Sequence, residues 1–370
     1  MKYYIIAGEA SGDLHGSNLL KALKEADHSA EFRIVGGHLM EEQGGTLLKH
    51  YKDMAFMGLD VVLHLRTILR LMKYCQQDVL AWKPDVLILI DYPGFNLRIA
   101  KFAHSNGIRT YYYIAPKVWA WKENRVKQIR KFVDKLFIIF PFEKEYFAQH
   151  NIQSEYFGNP LNDNIHAFKN SEDGFNIIAS QYGLEKGKYL ALVAGSRRGE
   201  VKHLLPPMIK ALEGLNQYKL VITAAPSIPL EFYQKIVGNK PIAIIYNQTY
   251  TLISNAAAAA VTSGTATLET ALLKTPQVVV FKTNWPTYCV GKMLVKIKFF
   301  SLVNIIQGKE VVKELLQVNL ERNIRNEISL ILNDNNYKQN MLNNYEEIAQ
   351  KLGEPGVAKR VANRIIELLK

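Results

Sequence analysis

The stretch "YYIIAGEASGDLHG", residues 3–16, is where the fold can be read first. An apolar run stops at Gly8, and glycines recur at Gly8, Gly12 and Gly16 around two carboxylates, Glu9 and Asp13. The pattern predicts a buried strand over Tyr3–Ala7, a glycine-rich turn, and a helix from about Leu14 to Glu25 that turns Leu19, Leu20 and Leu23 inward. The turn matches neither G-x-G-x-x-G nor G-x-x-x-x-G-K-[ST], and its two acids would repel a pyrophosphate. Turns at the carboxyl ends of parallel strands are nonetheless where open α/β sheets bind ligands. A purely structural turn is the alternative.

Short apolar runs of the same kind recur at Phe32–Val35, Val86–Ile90, Thr110–Ile114, Leu136–Phe140 and Glu155–Phe157. They resume at Tyr189–Ala194, Leu220–Thr223, Ile242–Tyr246, Ala257–Val261 and Val278–Phe281, with amphipathic stretches between most of them. Strands alternating with helices predict parallel sheets covered on both faces. The polar stretch 157–174 with Pro160 reads as a linker, and the chain from Lys309 reads as helices only. Two doubly wound domains, with a ligand cleft between facing strand edges, follow.

Three further strand ends carry chemistry. "LALVAGSRRGEV" (190–201) sets Gly195, Ser196 and Arg197 at a helix start, a phosphate cradle or a basic helix cap. "AVTSGTATLETALL" (260–273) offers Ser263, Gly264 and Thr265 at a helix N-terminus, with Glu269 one turn on. Amides for a diphosphate beside a carboxylate for ribose hydroxyls suit a nucleotide; hydroxyl capping is the other reading. "DVLILIDYPGFN" (85–96) places Asp91 directly after five apolar residues, where desolvation raises its pKa and suits it to act as a general base, or where it caps the following helix. "IAPKVWAWKENRVKQIRK" (114–131) mixes Trp119 and Trp121 with Lys117, Lys122, Arg125 and Lys127, as a sugar-phosphate binder or a basic helix would.

Composition narrows the class. The chain has 370 residues, 48% apolar, and carries a formal net charge of +12, which favours anionic partners. Cys75 and Cys289 form neither a disulfide framework nor a zinc pattern, and suit a reducing cytoplasm. Neither a signal peptide nor an apolar run of roughly 18–20 residues is seen. There is no D-x-D and no His/Cys pair at ligand spacing, so no metal and no cofactor are expected. Nothing resembles an RNP or helix-turn-helix motif, so no nucleic acid is expected despite the charge.

The segments "AGEASGD", "PDVLILIDYPGFN", "PKVWAWKENRV", "FPFEKEYF", "GSRRGEV", "SGTATLETAL" and "LVNIIQGKEVVKELLQ" stand in the order and spacing of the lipid-A-disaccharide synthase family, which the chain resembles over almost its whole length. The resemblance implies the GT-B glycosyltransferase fold, two Rossmann-like domains. Residues 1–165 would form the acceptor domain, with about 352–370 packing back on it, and 166–351 the UDP-sugar domain. It implies transfer of 2,3-diacylglucosamine from UDP to 2,3-diacylglucosamine 1-phosphate, giving the β-1,6 disaccharide 1-phosphate with inversion and without a metal. A sugar-nucleotide epimerase is the rival within the fold.

Carried over by motif, Asp91 is similar to an essential aspartate, Arg197 to the arginine of the G-S-R turn, Glu269 to the glutamate after S-G-T-A, and Asn304 to the asparagine of L-x-N. Glu9 is the second candidate base. Gly195, Ser196, Ser263, Gly264 and Thr265 complete the donor site. Ser11, Asp13, Trp119, Lys122 and Arg125 fall to the acceptor, and His15 is a further residue for substrate contact. Gly94 departs from the family pattern, which often has a second acid there. Acylated substrates require the bilayer surface, on the cytoplasmic side of the bacterial inner membrane. Within 55–73, Leu65, Leu69 and Met72 are expected as an apolar stripe beside Arg66, Arg70 and Lys73, either docking on lipid or packing on the protein's own core. The stretch 291–300 offers a second basic-apolar patch, and a homodimer stays open.

Overall fold

The computed structural model describes residues 1–53, 65–119, 123–169, 174–282 and 298–370. The chain divides into two compact units, Met1–Asp163 with Leu352–Lys370, and Asn164–Lys351. The first contains β1 (Lys2–Ala7), β2 (Glu31–Gly36), β3 (Thr46–His50), β4 (Val86–Ile90), β5 (Thr110–Tyr113), β6 (Lys135–Ile138) and β7 (Ser154–Tyr156). They form a parallel sheet in the order β3-β2-β1-β4-β5-β6-β7, with Ala7 level with Ile90. The second contains β8 (Tyr189–Val193), β9 (Lys219–Ala224), β10 (Ala243–Tyr246), β11 (Ala258–Thr262), β12 (Gln277–Phe281) and β13 (Glu314–Leu316), ordered β10-β9-β8-β11-β12-β13 and likewise parallel.

The central strands are apolar throughout because helices cover both faces. Tyr4, Ile6, Leu87 and Leu89 enter one core, with Ile68, Leu71 and Cys75 of the helix Leu65–Trp82. Tyr3, Ile5, Val86 and Ile88 enter the other, with Leu19 and Leu23 of the helix Ala10–Ala26 and Val361 and Ile365 of the C-terminal helix Val357–Leu369. Asp163 receives the first amides of that last helix, from Gly356, Val357 and Ala358, at 2.6–3.0 Å.

Several expectations change. The first helix begins at Ala10, so Gly12 and Gly16 are helical rather than parts of a loop. Their four-residue spacing puts them on one face: a Cβ on Gly12 would lie 3.2 Å from the Ala7 side chain, and one on Gly16 2.7 Å from Met40 Sδ. Stretch 157–174 contains the helix Leu161–Lys169 and is not simply a linker. The region after Lys309 is not helical only, since β13 closes the second sheet. Both strands missing from the sequence reading, β3 and β13, are edge strands with partly exposed residues, so neither shows a continuous apolar run.

Candidate functional site

In each sheet the strand order reverses between two central neighbours, β1 and β4 in the first and β8 and β11 in the second. Connections leave such a pair toward opposite faces, and their loops part to leave a crevice. The four loops singled out in the sequence follow these four strands.

In the first unit, Gly8 and Glu9 leave β1 beside Asp91 and Tyr92 leaving β4. Asp91 and Tyr92 both adopt left-handed backbone, with φ +44° and +45°. A Cβ on Gly8 would lie 2.3 Å from the Tyr92 ring, so only glycine lets that ring lie against the first turn. Burial raises the pKa of Asp91, partly offset by the Lys117 ammonium and by a backbone hydrogen bond from Tyr92. Glu9 is half-buried and its charge bears on the Tyr92 hydroxyl.

Other first-unit candidates are engaged in structure. Asp13 is 3% exposed. Its oxygens accept amides from Gly37 at 2.8 Å, Met40 at 3.2 Å and Leu39 at 3.3 Å. It braces the turn after β2, a role its assignment to the acceptor did not anticipate. Ser11 is exposed in the first helical turn. His15 is buried, and desolvation lowers its pKa to about 4. Trp119 donates its indole N–H to Glu143 Oε1 at 3.1 Å, and Arg125 begins the helix Arg125–Phe132 half-buried. Lys122 and Trp121 lie outside the described residues.

In the second unit, Gly195, Ser196 and Arg197 follow β8, and the helix Arg198–Leu212 starts there. Glu200 fills the expected cradle. Its Oε2 accepts the amides of Ser196 at 3.2 Å and Arg197 at 3.3 Å, and its Oε1 pairs with Arg197 Nη1 at 3.2 Å. The predicted phosphate donors are therefore self-capped by the N3 glutamate of their own helix. After β11, Ser263 Oγ donates to the Phe300 carbonyl at 3.0 Å, and Thr265 is exposed. Gly264 stands at the N-cap of the helix Thr265–Leu272, with no side-chain cap among the described residues. Glu269 accepts the Tyr250 hydroxyl at 2.8 Å, while burial raises its pKa.

Asn304 is fully buried, and its amide is spent: Nδ2 donates to Val312 O and Glu314 Oε1, and Oδ1 accepts the amides of Val311 and Val312, all within 3.0 Å. It shapes the approach to β13, a structural role the donor-site assignment did not anticipate. The expected apolar stripe also divides. Met72 is buried with Ile68, Leu71, Cys75 and Val79, whereas Leu69 is 49% exposed among exposed Arg66, Arg70 and Lys73. The side chain of Leu65, stretch 54–64 and residues 291–297 of the second patch lie outside the described residues.

Sequence reading passed over Asn96, Tyr112, Glu143, Glu200 and Tyr250, all of which hold candidate groups in place. Asn96, Glu143 and Glu200 stand inside the quoted motifs; Tyr112 and Tyr250 carry no local signal. Two cavities in the first unit, of about 710 and 640 Å³, border the amino ends of β4 and β7 and contain none of the candidates. Among the described residues no His/Cys/Asp/Glu group could hold a metal ion, and no helix is long and apolar enough to cross a membrane.

Comparison with known proteins separates fold from family. A UDP-GlcNAc 2-epimerase from Neisseria meningitidis, solved bound to UDP-GlcNAc, superposes with a TM-score of 0.69, covering 99% of this chain and all of that one at 14% identity. A Staphylococcus aureus MnaA–UDP structure gives 0.69 at 14% identity over 100% and 96%. Likeness at that identity gives the GT-B fold alone. Sequence relatives are more specific. The lipid-A-disaccharide synthase of Syntrophus aciditrophicus is 37% identical, covering 99% of this chain and 97% of that protein. That of Myxococcus xanthus is 35% identical over the same shares. The family description "Lipid-A-disaccharide synthetase" matches residues 3–364. Because that match runs from β1 into the C-terminal helix, through the loops after β1, β4, β8 and β11 alike, the chain belongs to the lipid-A-disaccharide synthetase family.

Proposed function

We propose that this protein transfers 2,3-diacylglucosamine from UDP to the 6-hydroxyl of 2,3-diacylglucosamine 1-phosphate, with inversion, releasing UDP. The family match over residues 3–364 is the observation that carries this reading. Asp91 is the general base. A carboxyl whose pKa burial raises accepts a proton more readily, and the Lys117 charge opposes that rise. The donor binds the second unit. Its diphosphate takes the N-terminus of the helix Thr265–Leu272 and the Arg197 guanidinium, and Glu269, fixed by Tyr250, receives the ribose hydroxyls. Arg197 leaves Glu200 to do so. Their pair is exposed, and such pairs are worth only about 0–1 kcal/mol, so a diphosphate displaces it readily. Arg125 and Ser11 lie on the acceptor side.

Acylated substrates bring the protein to a membrane surface. The exposed face Arg66, Leu69, Arg70 and Lys73 supports docking there, a cationic border around an apolar side chain. The test is a product mass spectrum. Purified protein with both lipids should give a disaccharide 1-phosphate and UDP, with a β-anomeric coupling by NMR. Asp91→Asn should keep its fold and lose about 10²–10⁴-fold in turnover. No disaccharide, or C2 epimerisation of a UDP-sugar without acceptor, would replace the reading with the epimerase one.

A further inference from the structure

We propose that Tyr112 and Asn96 are positioning residues that clamp the backbone of Asp91 and act on transfer only through its carboxylate. The proposal rests on Asp91 being the base. Two consecutive non-glycine residues in left-handed backbone, Asp91 and Tyr92, form a conformation that persists only where surroundings over-determine it. The surroundings here are two side chains from different elements. Tyr112, wholly buried on β5, donates its hydroxyl to the Asp91 carbonyl. Asn96, wholly buried in the helix Pro93–Ser105, donates Nδ2 to the same carbonyl at 2.8 Å and to the Ile90 carbonyl at 3.1 Å.

The carbonyl of Ile90, the last residue of β4, and that of Asp91 just beyond it are thus held by side chains as the chain turns away from the sheet. Asn96 Oδ1 is buried with no hydrogen-bond partner among the described residues. An amide that leaves its own oxygen unsatisfied while spending its N–H groups on this turn is placed for the turn. From the other side, the absent side chain at Gly8 makes room for the Tyr92 ring. Asp91 is therefore held through its main-chain carbonyl, while its carboxyl takes one backbone hydrogen bond, from the Tyr92 amide.

Tyr112→Phe keeps the ring and removes only the donor. With folding checked by circular dichroism, kcat should fall about 10–100-fold, as a misplacement of about 1 Å does, with KM for both substrates within about twofold of wild type. The acidic limb of the kcat profile should move, since the environment of the Asp91 carboxyl changes. In the Asp91→Asn background Tyr112→Phe should have no further effect, because a positioning residue has nothing left to position. Asn96→Ala should behave alike and serves if the first variant misfolds. Wild-type kcat in both variants, or losses that multiply in the Asp91→Asn background, overturns the clamp and leaves the base standing. Normal turnover of Asp91→Asn alone overturns the base and the clamp with it.

Discussion

Burial acts on two titratable side chains of the first unit with opposite sign. His15 is 8% exposed, and its pKa is lowered by desolvation from 6.5 to about 4, with the Asp163 charge opposing. Glu143 is fully buried, and desolvation raises it from 4.5 to about 7 against hydrogen bonds from Trp119, Phe140 and Ile139 and the Lys117 charge. For His15 the unfolded chain binds the proton more tightly, so stability is lost as pH falls from 6.5 toward 4. For Glu143 the folded chain binds it more tightly, so stability is lost as pH rises from 4.5 toward 7. Each slope is worth about 3 kcal/mol, and over their shared window they largely cancel. Relative to wild type, His15→Gln should therefore grow less stable as pH rises from 4 to 6.5. Glu143→Gln should grow more stable from 4.5 to 7. Urea midpoints across pH 4–7.5 check both; parallel curves for all three proteins would refute the assignment. The polar residue types at these strand ends were visible in the sequence. Whether each faced a ligand or braced the backbone was not, because the partners that decide it for Asp13 and Asn304 are main-chain amides, which every residue but proline carries.

At the scale of elements, periodicity was informative where one face is uniformly apolar and failed where the face was drawn one residue out of phase. In the helix Leu65–Trp82 the buried line is Ile68, Leu71, Met72, Cys75 and Val79. Leu69 stands 100° from its neighbours Ile68 and Arg70 and falls on the solvent side. What stays exposed is one leucine among three cations, the face proposed to dock on lipid. Arg66→Glu/Arg70→Glu should reduce flotation with anionic liposomes at low salt and flatten its salt dependence, each surface cation contributing about 1 kcal/mol. Leu69→Ser should weaken binding at all salt concentrations. Flotation unchanged in both variants would move the docking surface elsewhere.

The whole molecule repeats one plan: two parallel sheets whose candidate loops follow the two strands at each reversal of order. Chain order does not respect the units. The C-terminal helix, across nearly 200 intervening residues, buries Val357, Val361 and Ile365 in the same core as Tyr3 and Ile5. Ile365→Ala should cost about 2–5 kcal/mol by opening a cavity there. Hydrogen exchange should locate the loss: faster exchange for β1 and β4 amides, with β8 and β11 amides unchanged. Equal deprotection of both sheets would mean that the units unfold as one.

Local sequence was enough for the alternation of strands and helices, the four loops that carry polar chemistry, and the seven segments of the family resemblance, because buried strands and glycine turns constrain residue type position by position. It could not supply the edge strands β3 and β13, whose half-exposed residues lack an apolar run. Nor could it show that Gly12 and Gly16 are packing faces of a helix, that Glu200 occupies the amides after β8, or that Tyr112 and Asn96 meet on one carbonyl. Those facts depend on which strand lies beside which and which face each helix presents. Such long-range contacts exist only once the chain has closed on itself, and they leave no spacing in the sequence to read.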